Sequence, residues 1–456
     1  MEIDGFVLGE RVHSSALASI YRVAGAAKAL AFPAIIKLPR LAAGEGASPL
    51  LGFQTESLIL PVLAGPHAPR FAGAGDLATS PYLVIEWIEG TSLEAIVRQA
   101  PLPAEEVARL GAAVADALHS IHRQDVIHHD LKPENVILRP GGEAVLIDFG
   151  MAHHARLPDL LAEQRRYAAG SAPYVSPEQV SGVRSDLRSD LFALGAMLYE
   201  MATGKLPFGA PQTAAGLRDR LWLDPAPPRS VVPDLPLWLQ QVICGCLEPV
   251  AAARYQSAAH VAFDLRHPED IALDARAYRK RRAGVLGQLQ RWWKSRSAAS
   301  APPATRGEHA PVVMVAVDTM HPDDPRHGAI RSATARVLSL STDFRLICVS
   351  VVHGEPVGGQ AGAPGIHLEH LVRLRQWAAP LALPPGRVSM HVMEALSATA
   401  TLLEFARSNH VDLIVIGAPG PEQQAFAWWR SVASGVTANA GCSVLVVRNP
   451  ADRESE

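Results

Sequence analysis

The apolar residues of the first 260 positions follow two different spacings. Short apolar runs near the N-terminus predict β-strands at Phe6–Val12, Ile20–Val23, Ala34–Leu38 and Tyr82–Trp87. Later apolar residues recur every three or four positions, which predicts helices at Ala104–His122, Leu191–Ala202 and Leu235–Leu247. Strands followed by helices favour an α+β arrangement with two lobes.

The C-terminal part alternates strands with helices. Continuous β-branched runs predict strands at Val312–Val317, Phe344–Val352, Val388–Met393, Asp412–Ile416 and Ser443–Val447. Helical periodicity lies between them at Arg326–Ser339 and Ala398–Ser408. Strands that are apolar on both faces are typical of a parallel sheet covered by helices, so we expect a second, α/β domain.

The composition narrows the class of protein. The 456 residues are 48% hydrophobic and 19% charged, which is typical of a globular chain. The net charge of −3 argues against a nucleic-acid partner for the whole chain. Four scattered cysteines, no signal-like N-terminus and no long apolar run favour a cytoplasmic protein without a transmembrane segment.

One basic stretch separates the two parts. Nine Lys and Arg residues and no acidic residue lie between Ala275 and Gly307, and the stretch ends in Ser, Ala and Pro. We therefore predict three regions: a first domain at 1–268, a linker at 269–309 and a second domain at 310–449. The linker is a solvated connector or, alternatively, a segment that lies on an anionic membrane surface.

Two motifs in the first domain carry groups suited to phosphoryl transfer. His128–Asn135 reads His-His-Asp-Leu-Lys-Pro-Glu-Asn, and Asp148-Phe149-Gly150 follows a predicted strand. Transfer from ATP needs an acid that orients the hydroxyl, cations on the phosphates and oxygen ligands for Mg²⁺. Asp130 is the candidate acid, Lys132 a candidate cation, and Asn135 and Asp148 are the candidate ligands.

These motifs resemble the catalytic and metal-binding loops of protein kinases, and the residues before them fit the same family. Lys37 ends a strand similar to the one whose Lys holds the ATP phosphates, and Glu56 stands where its helical partner is expected. The resemblance implies a hinge between the lobes after the gatekeeper position Ile85. It assigns to the ATP site the hinge residues Glu86 and Ile88 and the flanking apolar residues Val12 and Ile20.

Later motifs occur in the family's order. Glu178 follows Ser176-Pro177, Asp190 matches an aspartate of a central helix, and Arg254 matches the late arginine that pairs with Glu178. Residues from about 5 to 268 therefore resemble a bacterial serine/threonine protein kinase of the eukaryotic type. The resemblance implies ATP and Mg²⁺ as cofactors and protein substrates with Ser or Thr hydroxyls.

The phosphate-covering loop departs from the family pattern. His13, Ser15 and Ala18 occupy positions where the family has glycine, which lets a backbone approach phosphates closely. Either the loop still folds over ATP, because Ser and Ala are small, or ATP binding is weakened. The alternative function is a pseudokinase or ATP-responsive scaffold that does not transfer phosphate.

A second departure concerns control of the kinase. His129 replaces an arginine that in the family pairs with a phosphate on the activation segment, here Met151–Gly170. This segment contains no Ser or Thr, and its only phosphorylatable hydroxyl is Tyr167. Our hypothesis is that Ser/Thr phosphorylation of the segment does not switch the kinase on. Ser171 follows it, and the resemblance implies a structural contact with Asp130 and Lys132.

The second domain, at about 310–448, resembles the universal stress protein family, which has a Rossmann-like parallel sheet. Gly417, Gly420 and Ser431 fit the spacing of its nucleotide motif, although Arg430 replaces the third glycine. The resemblance implies a second nucleotide site formed by these residues with Asp318, and dimerisation through the last strand, Val444–Val447. In one alternative the glycine turn is purely structural and the domain is a dimerising regulatory module. In another, this domain is the main part of the molecule, a nucleotide-responsive switch with the kinase as its partner.

Overall fold

The structure is a computed structural model. It describes the chain except residues 15–17, 27–29, 41–47, 77–79, 164–169, 282–310, 341–343, 353–365, 419–430 and 449–456. Several features discussed above thus lie outside the described residues: Ser15 of the phosphate-covering loop, Tyr167, most of the linker, Gly420 and Arg430.

The N-terminal lobe is built on an antiparallel sheet with the strand order β1-β2-β3-β4-β6-β5. Its strands are β1 Glu2–Ile3, β2 Phe6–Ser14, β3 Ala18–Ala26, β4 Ala34–Pro39, β5 Phe71–Ala74 and β6 Leu83–Glu86. Helix α1, Ser48–Ile59, packs beside it. In β4 the side chains alternate between faces, so Ile36 is buried in a small core with Val84 while Lys37 points to the opposite side.

The second lobe is mainly helical. Its longer helices are α3 Ala104–His122, α6 Arg188–Thr203, α8 Leu237–Cys246 and α9 Ala258–Arg266. Its short helices are α2 Leu93–Val97, α4 Leu160–Glu163, α5 Pro177–Val180 and α7 Ala214–Arg218. Short strand pairs complete it, formed by β7 Thr91–Ser92, β8 Val126–Ile127, β9 Val136–Leu138, β10 Ala144–Leu146 and β11 His153–His154.

The predicted helices of this lobe are confirmed. Helix α3 has the predicted bounds, and its apolar face, including Val107, Leu118 and Ile121, is buried. Helix α6 extends the predicted Leu191–Ala202 by a few residues at its start. Helix α8 begins two residues later than predicted because Pro236, at its N-cap, has an extended backbone.

The C-terminal domain is a five-stranded sheet with the order β14-β13-β12-β15-β16, and all its neighbouring strands are parallel. The strands are β12 Val312–Ala316, β13 Arg345–Val352, β14 Val388–Glu394, β15 Leu413–Gly417 and β16 Ser443–Val447. Helices α10 Arg326–Leu338, α11 Ile366–Ala378, α12 Ala398–Ser408 and α13 Val432–Asn439 connect them. Separate apolar clusters cover the two faces, as expected for a buried parallel sheet.

The start of the predicted linker packs against the kinase-like region. Gln240 of α8 donates hydrogen bonds of 2.8–3.0 Å to the backbone carbonyls of Arg276, Ala277 and Arg279. Ala277 is fully buried as a result. The predicted domain limits remain predictions. No helix among the described residues is both long and apolar enough to span a bilayer.

Candidate active site

The structure brings Lys37, Glu56 and Asp148 together where the two lobes meet. Lys37 Nζ lies 2.6 Å from Glu56 Oε2 and 3.3 Å from Asp148 Oδ1. Burial alone would lower the pKa of Lys37, but the negative charges of Glu56 and Asp148 outweigh it and raise the pKa. Lys37 therefore keeps its positive charge and is held at a fixed position by α1.

Helix α1 can reach this position because two glycines face each other. A Cβ atom on Gly150 would lie 3.3 Å from the backbone oxygen of Gly52, tighter than most such contacts. The turn after Asp148 therefore lies directly on α1. Asp148 itself has a left-handed backbone, with φ of 64°, and its side chain is 48% exposed. The carboxylate is thus open to a ligand on the side away from Lys37.

The predicted hinge runs between the lobes at Glu86 and Ile88. The N–H of Glu86 donates to the Arg70 carbonyl, and the N–H of Trp87 donates to the Pro33 carbonyl. Burial alone would raise the pKa of the Glu86 carboxyl, but hydrogen bonds from Arg70 and Arg139 lower it. The Glu86 side chain and its backbone N–H are thereby engaged within the protein, so a contact of Glu86 with a ligand would use its backbone carbonyl.

Around the phosphate-covering loop, Val12 and Ile20 lie on β2 and β3 and are half-buried. Arg40 connects the two strands where the loop joins them: its Nη2 lies 2.7 Å from Ser14 Oγ and its Nε 2.9 Å from Ser19 Oγ. This link fixes the base of the loop. The predicted departure at Ser15 lies outside the described residues.

Asp130 is the centre of a dense polar cluster. Its Oδ1 accepts hydrogen bonds from the backbone N–H of Ser171 at 2.7 Å and from the Ser171 hydroxyl at 2.9 Å. Its Oδ2 lies 3.0 Å from Lys132 Nζ and 3.1 Å from Asn135 Nδ2. Lys132 also donates to Ser171 Oγ at 2.8 Å. The structural contact expected for Ser171 is therefore present.

The donor set fits a magnesium ion. Asn135 uses its Nδ2 for Asp130, which leaves its amide oxygen available, and Asp148 offers a carboxylate. Amide and carboxylate oxygens are the ligands that Mg²⁺ takes in proteins, usually together with substrate phosphates. Lys37, 3.3 Å from Asp148 Oδ1, and Lys132, 3.0 Å from Asp130 Oδ2, add positive charge near these groups.

Asp190 of α6 holds the backbone of the catalytic loop. Its carboxylate accepts hydrogen bonds from the backbone N–H groups of His128 at 2.8 Å and His129 at 2.9 Å. His129 has a left-handed backbone, with φ of 63°, which these two bonds stabilise. Burial alone would raise the pKa of Asp190, but the hydrogen bond and charge of His122 lower it to about 2.

Helix α5 supports the same loop from the other side. Ser176 and Gln179 form a capping box at its N-terminus, and Gln179 Nε2 donates to the His129 carbonyl at 2.7 Å. Sequence reasoning did not identify Gln179 as a supporting residue, although the Ser-Pro-Glu-Gln pattern of a capping box could have indicated it. Glu178 accepts two hydrogen bonds from the buried Arg254, at 2.5 and 2.7 Å, so the predicted pair is present.

The second predicted site lies at the carboxyl ends of the C-terminal strands. A cavity of about 560 Å³ is lined by Asp318, Gly417 and Ser431 among others. Asp318 accepts a hydrogen bond from the Met320 N–H, and Ser431 caps α13 by accepting one from the Ser434 N–H. Gly417 packs closely on α10, since a Cβ there would lie 2.9 Å from the terminal methyl group of Ile330. Gly420 lies outside the described residues.

Comparison with known families finds two matching regions along the chain. Residues 47–263 match the family described as "Protein kinase domain", and residues 311–448 match "Universal stress protein family". The chain thus joins a domain of the protein kinase family to a domain of the universal stress protein family. Within the first family, the similarity is to bacterial serine/threonine protein kinases.

Two curated relatives illustrate the kinase similarity. A probable serine/threonine-protein kinase of Clostridium perfringens is 31% identical over 47% of this chain and 31% of its own length. The serine/threonine-protein kinase PknB of Mycobacterium leprae is 31% identical over 50% of this chain and 38% of its own length. The chain thus spans about a third of the length of these relatives. The crystal structure of the Mycobacterium tuberculosis PknI kinase domain matches with a TM-score of 0.46 and 22% identity, over 59% of this chain and 97% of that one.

Proposed function

We propose that this chain is a serine/threonine protein kinase that uses ATP and Mg²⁺ and acts on protein hydroxyls in the cytoplasm. The observation that carries the proposal is the cluster around Asp130, where one carboxylate contacts Lys132, Asn135 and Ser171. A scaffold would not require a carboxylate, an ammonium and an amide to converge in this way. The catalytic roles follow from the chemistry of these groups.

In the proposed mechanism Asp130 orients the substrate hydroxyl and accepts its proton as the new O–P bond to the γ-phosphorus forms. The bond between the γ-phosphorus and the β,γ-bridging oxygen breaks in the same step, and ADP leaves with that oxygen. Lys132, 3.0 Å from Asp130, places a positive charge beside the transferred phosphoryl group. Lys37, held by Glu56, positions the ATP phosphates. Asn135 and Asp148 would hold Mg²⁺, which when bound offsets the charge of the phosphate oxygens.

The remaining predicted contacts belong to the nucleoside end of ATP. In the proposal, the backbones of Glu86 and Ile88 contact the adenine, with Val12 and Ile20 on its apolar faces. Ile85 and Ile88 are both buried, so the hinge carries apolar side chains at this point. An aromatic base is favoured in such surroundings.

The experiment that separates a kinase from a pseudokinase measures binding and transfer on the same sample of the full chain. Calorimetry with ATP and Mg²⁺ gives the affinity, and label from [γ-³²P]ATP on a generic protein substrate gives the transfer. We expect both binding and transfer, with the label on Ser or Thr. Binding without transfer would support the scaffold alternative and overturn the proposal.

A second candidate function is nucleotide binding by the C-terminal domain, supported by the cavity beside Asp318 and Ser431. Binding stoichiometry tests it: we expect two nucleotides per chain, reduced to one by Asp318→Asn, and one in both proteins would contradict it.

Dimerisation through Val444–Val447 stays a prediction that the comparisons do not support. That strand lies at the edge of the sheet, with Leu445 and Val446 exposed.

A further inference from the structure

A largely buried arginine, Arg184, connects the loop before α6 to the start of the activation segment. Arg184 is only 10% exposed, and its Nε donates to both oxygens of Asp159, at 2.8 and 3.1 Å. Its Nη2 donates to the carbonyl of Met151 at 2.8 Å and to that of Ala152 at 3.3 Å. One guanidinium thus binds both the start and the middle of the segment, directly after Asp148-Phe149-Gly150.

Asp159 is held from three sides. Besides Arg184, it lies 3.1 Å from His153 Nδ1 and accepts a hydrogen bond from the Ala162 N–H in the first turn of α4. Burial alone would raise the pKa of Asp159, but these neighbours lower it strongly, so the group is ionised. A buried carboxylate paired with a guanidinium forms a strong, directional contact.

The same arginine connects the activation segment to the catalytic loop. The Arg184 carbonyl lies 2.6 Å from His129 Nε2, and His129 directly precedes Asp130. His129 is itself 3% exposed and fixed through its backbone by Asp190 and Gln179. A shift of Arg184 would therefore be transmitted both to the segment and to the residue beside the proposed base.

We infer that Arg184 and Asp159 are positioning residues that hold residues 151–163 of the activation segment in place for phosphoryl transfer without a phosphate on the segment. All groups of this anchor are side chains or backbone atoms of the chain itself, so it is complete as soon as the domain has folded. The inference rests on the proposed kinase function. It assigns to Asp159 the anionic role that a phosphorylated residue would otherwise fill.

The test uses the full chain, treated with a phosphatase that acts on Ser, Thr and Tyr. Treated wild-type protein should retain its kcat within about twofold, whereas Asp159→Asn and Arg184→Gln should each lower kcat about tenfold or more. KM for ATP should change less, because neither residue lies at Lys37 or the hinge. Arg184→Lys and Asp159→Glu should recover part of the loss.

The matched control is Arg188→Gln. Arg188, the first residue of α6, pairs with Asp186 on the loop before it. In the part of the chain that the structure describes, the contacts of this ion pair do not include the activation segment. We expect its kcat to equal that of the wild type. Thermal unfolding of each variant separates loss of positioning from loss of the fold.

Hydrogen exchange distinguishes failure of this inference from failure of the kinase proposal, because it needs no activity. Amides of 151–163 should exchange faster in Asp159→Asn and Arg184→Gln than in Arg188→Gln. Unchanged exchange would overturn the anchor even if the chain proved inactive. A kcat equal to that of the wild type in both variants would also overturn it. Loss of wild-type activity on phosphatase treatment would do the same.

Discussion

The surroundings of His129 disfavour the charged form of its imidazole. It is buried, faces Arg184, Asp190 and His153, and its Nε2 lies 2.6 Å from the Arg184 carbonyl. Burial first, and then the positive charge of Arg184, lower its pKa to about 4. At neutral pH the residue is therefore a neutral hydrogen-bonding link between two loops.

This pKa has a consequence for acid stability. The folded pKa of about 4 is below the ordinary value of 6.5, so the unfolded chain takes up the proton first. The stabilisation is complete above about pH 6.5 and is lost as pH falls towards 4. When the pH falls from about 7 to about 5, we expect the contribution of His129 to the free energy of unfolding to decrease by about 2 kcal/mol.

Urea unfolding of the wild type and His129→Gln at both pH values measures this contribution as a difference, so other titrating groups cancel. Glutamine can still donate to the Arg184 carbonyl but does not titrate. If the two proteins lose stability equally on acidification, His129 does not have the assigned pKa.

Among individual residues, the sequence predicted those that belong to motifs in the family's order. It did not predict residues whose contact partners are distant in the sequence. Lys37 with Glu56, Ser171 with Asp130, and Arg254 with Glu178 are the expected contacts, and all are present. Arg184 carries no local pattern, because its partner Asp159 is 25 positions away. Only the folded arrangement of two loops brings that pair together.

Among the elements, α5 depends on a single buried arginine. Arg254 is fully buried and donates both to Glu178 and to the carbonyls of Arg188, Glu248 and Pro249. It thus joins α5 to the start of α6 and the end of α8. Helix α5 also carries Gln179, which supports the catalytic loop.

We predict that Arg254→Gln lowers the free energy of unfolding by about 3–5 kcal/mol, because it leaves Glu178 as a largely buried charge without its partner. Arg266→Gln is the matched control, since its partner Asp116 is 40% exposed, and it should cost at most about 1 kcal/mol. Chemical denaturation measures both. Equal effects of the two variants would show that the Arg254 pair is not a special support.

The type of an element, helix or strand, was predictable where its apolar pattern extends over many residues. Helix α3 and the five parallel strands follow directly from buried apolar faces. Sequence reasoning did not identify α11 or α13. Helix α11 does carry a buried stripe of Leu371, Leu374 and Ala378, three and four positions apart, which could have indicated it. Helix α13 is short and buries only Ala433 and Val436, so its pattern is too brief to predict a helix. Proline at position 236 accounts for the late start of α8, because its fixed φ suits the residue before a helix rather than its interior.

On the scale of the whole molecule, the two domains meet at the activation segment. Glu163, the last residue of α4, is 3% exposed and contacts Arg345 and His391 of the C-terminal sheet. Asn409 Nδ2 lies 3.4 Å from the Glu163 carbonyl oxygen. The C-terminal domain is therefore in contact with the part of the kinase domain that follows Asp148.

We predict that Glu163→Ala lowers the stability of the full chain by about 2 kcal/mol, because it removes the hydrogen-bond partner of the fully buried His391. Urea unfolding followed by intrinsic fluorescence measures the change. Glu369→Ala, which removes an exposed partner of Arg373, should have an effect below about 1 kcal/mol. A loss no larger than that of this control would mean that the contact does not join the domains.

The domain division was predictable because the charge and apolar patterns change together near residue 275. The contact between the domains was not, since Glu163, Arg345 and His391 lie far apart in sequence and have no shared motif. For the kinase domain we propose that the polar cluster at Asp130 transfers phosphate.

The most direct test compares the rate of ³²P transfer from [γ-³²P]ATP with Mg²⁺ by the full chain and by Asp130→Asn, at equal ATP occupancy. The substitution keeps the shape of the side chain and removes the proton acceptor, so we predict clear transfer by the wild type and a loss of about a hundredfold or more in the variant. Equal rates in the two proteins, or no transfer by the wild type, would contradict the account.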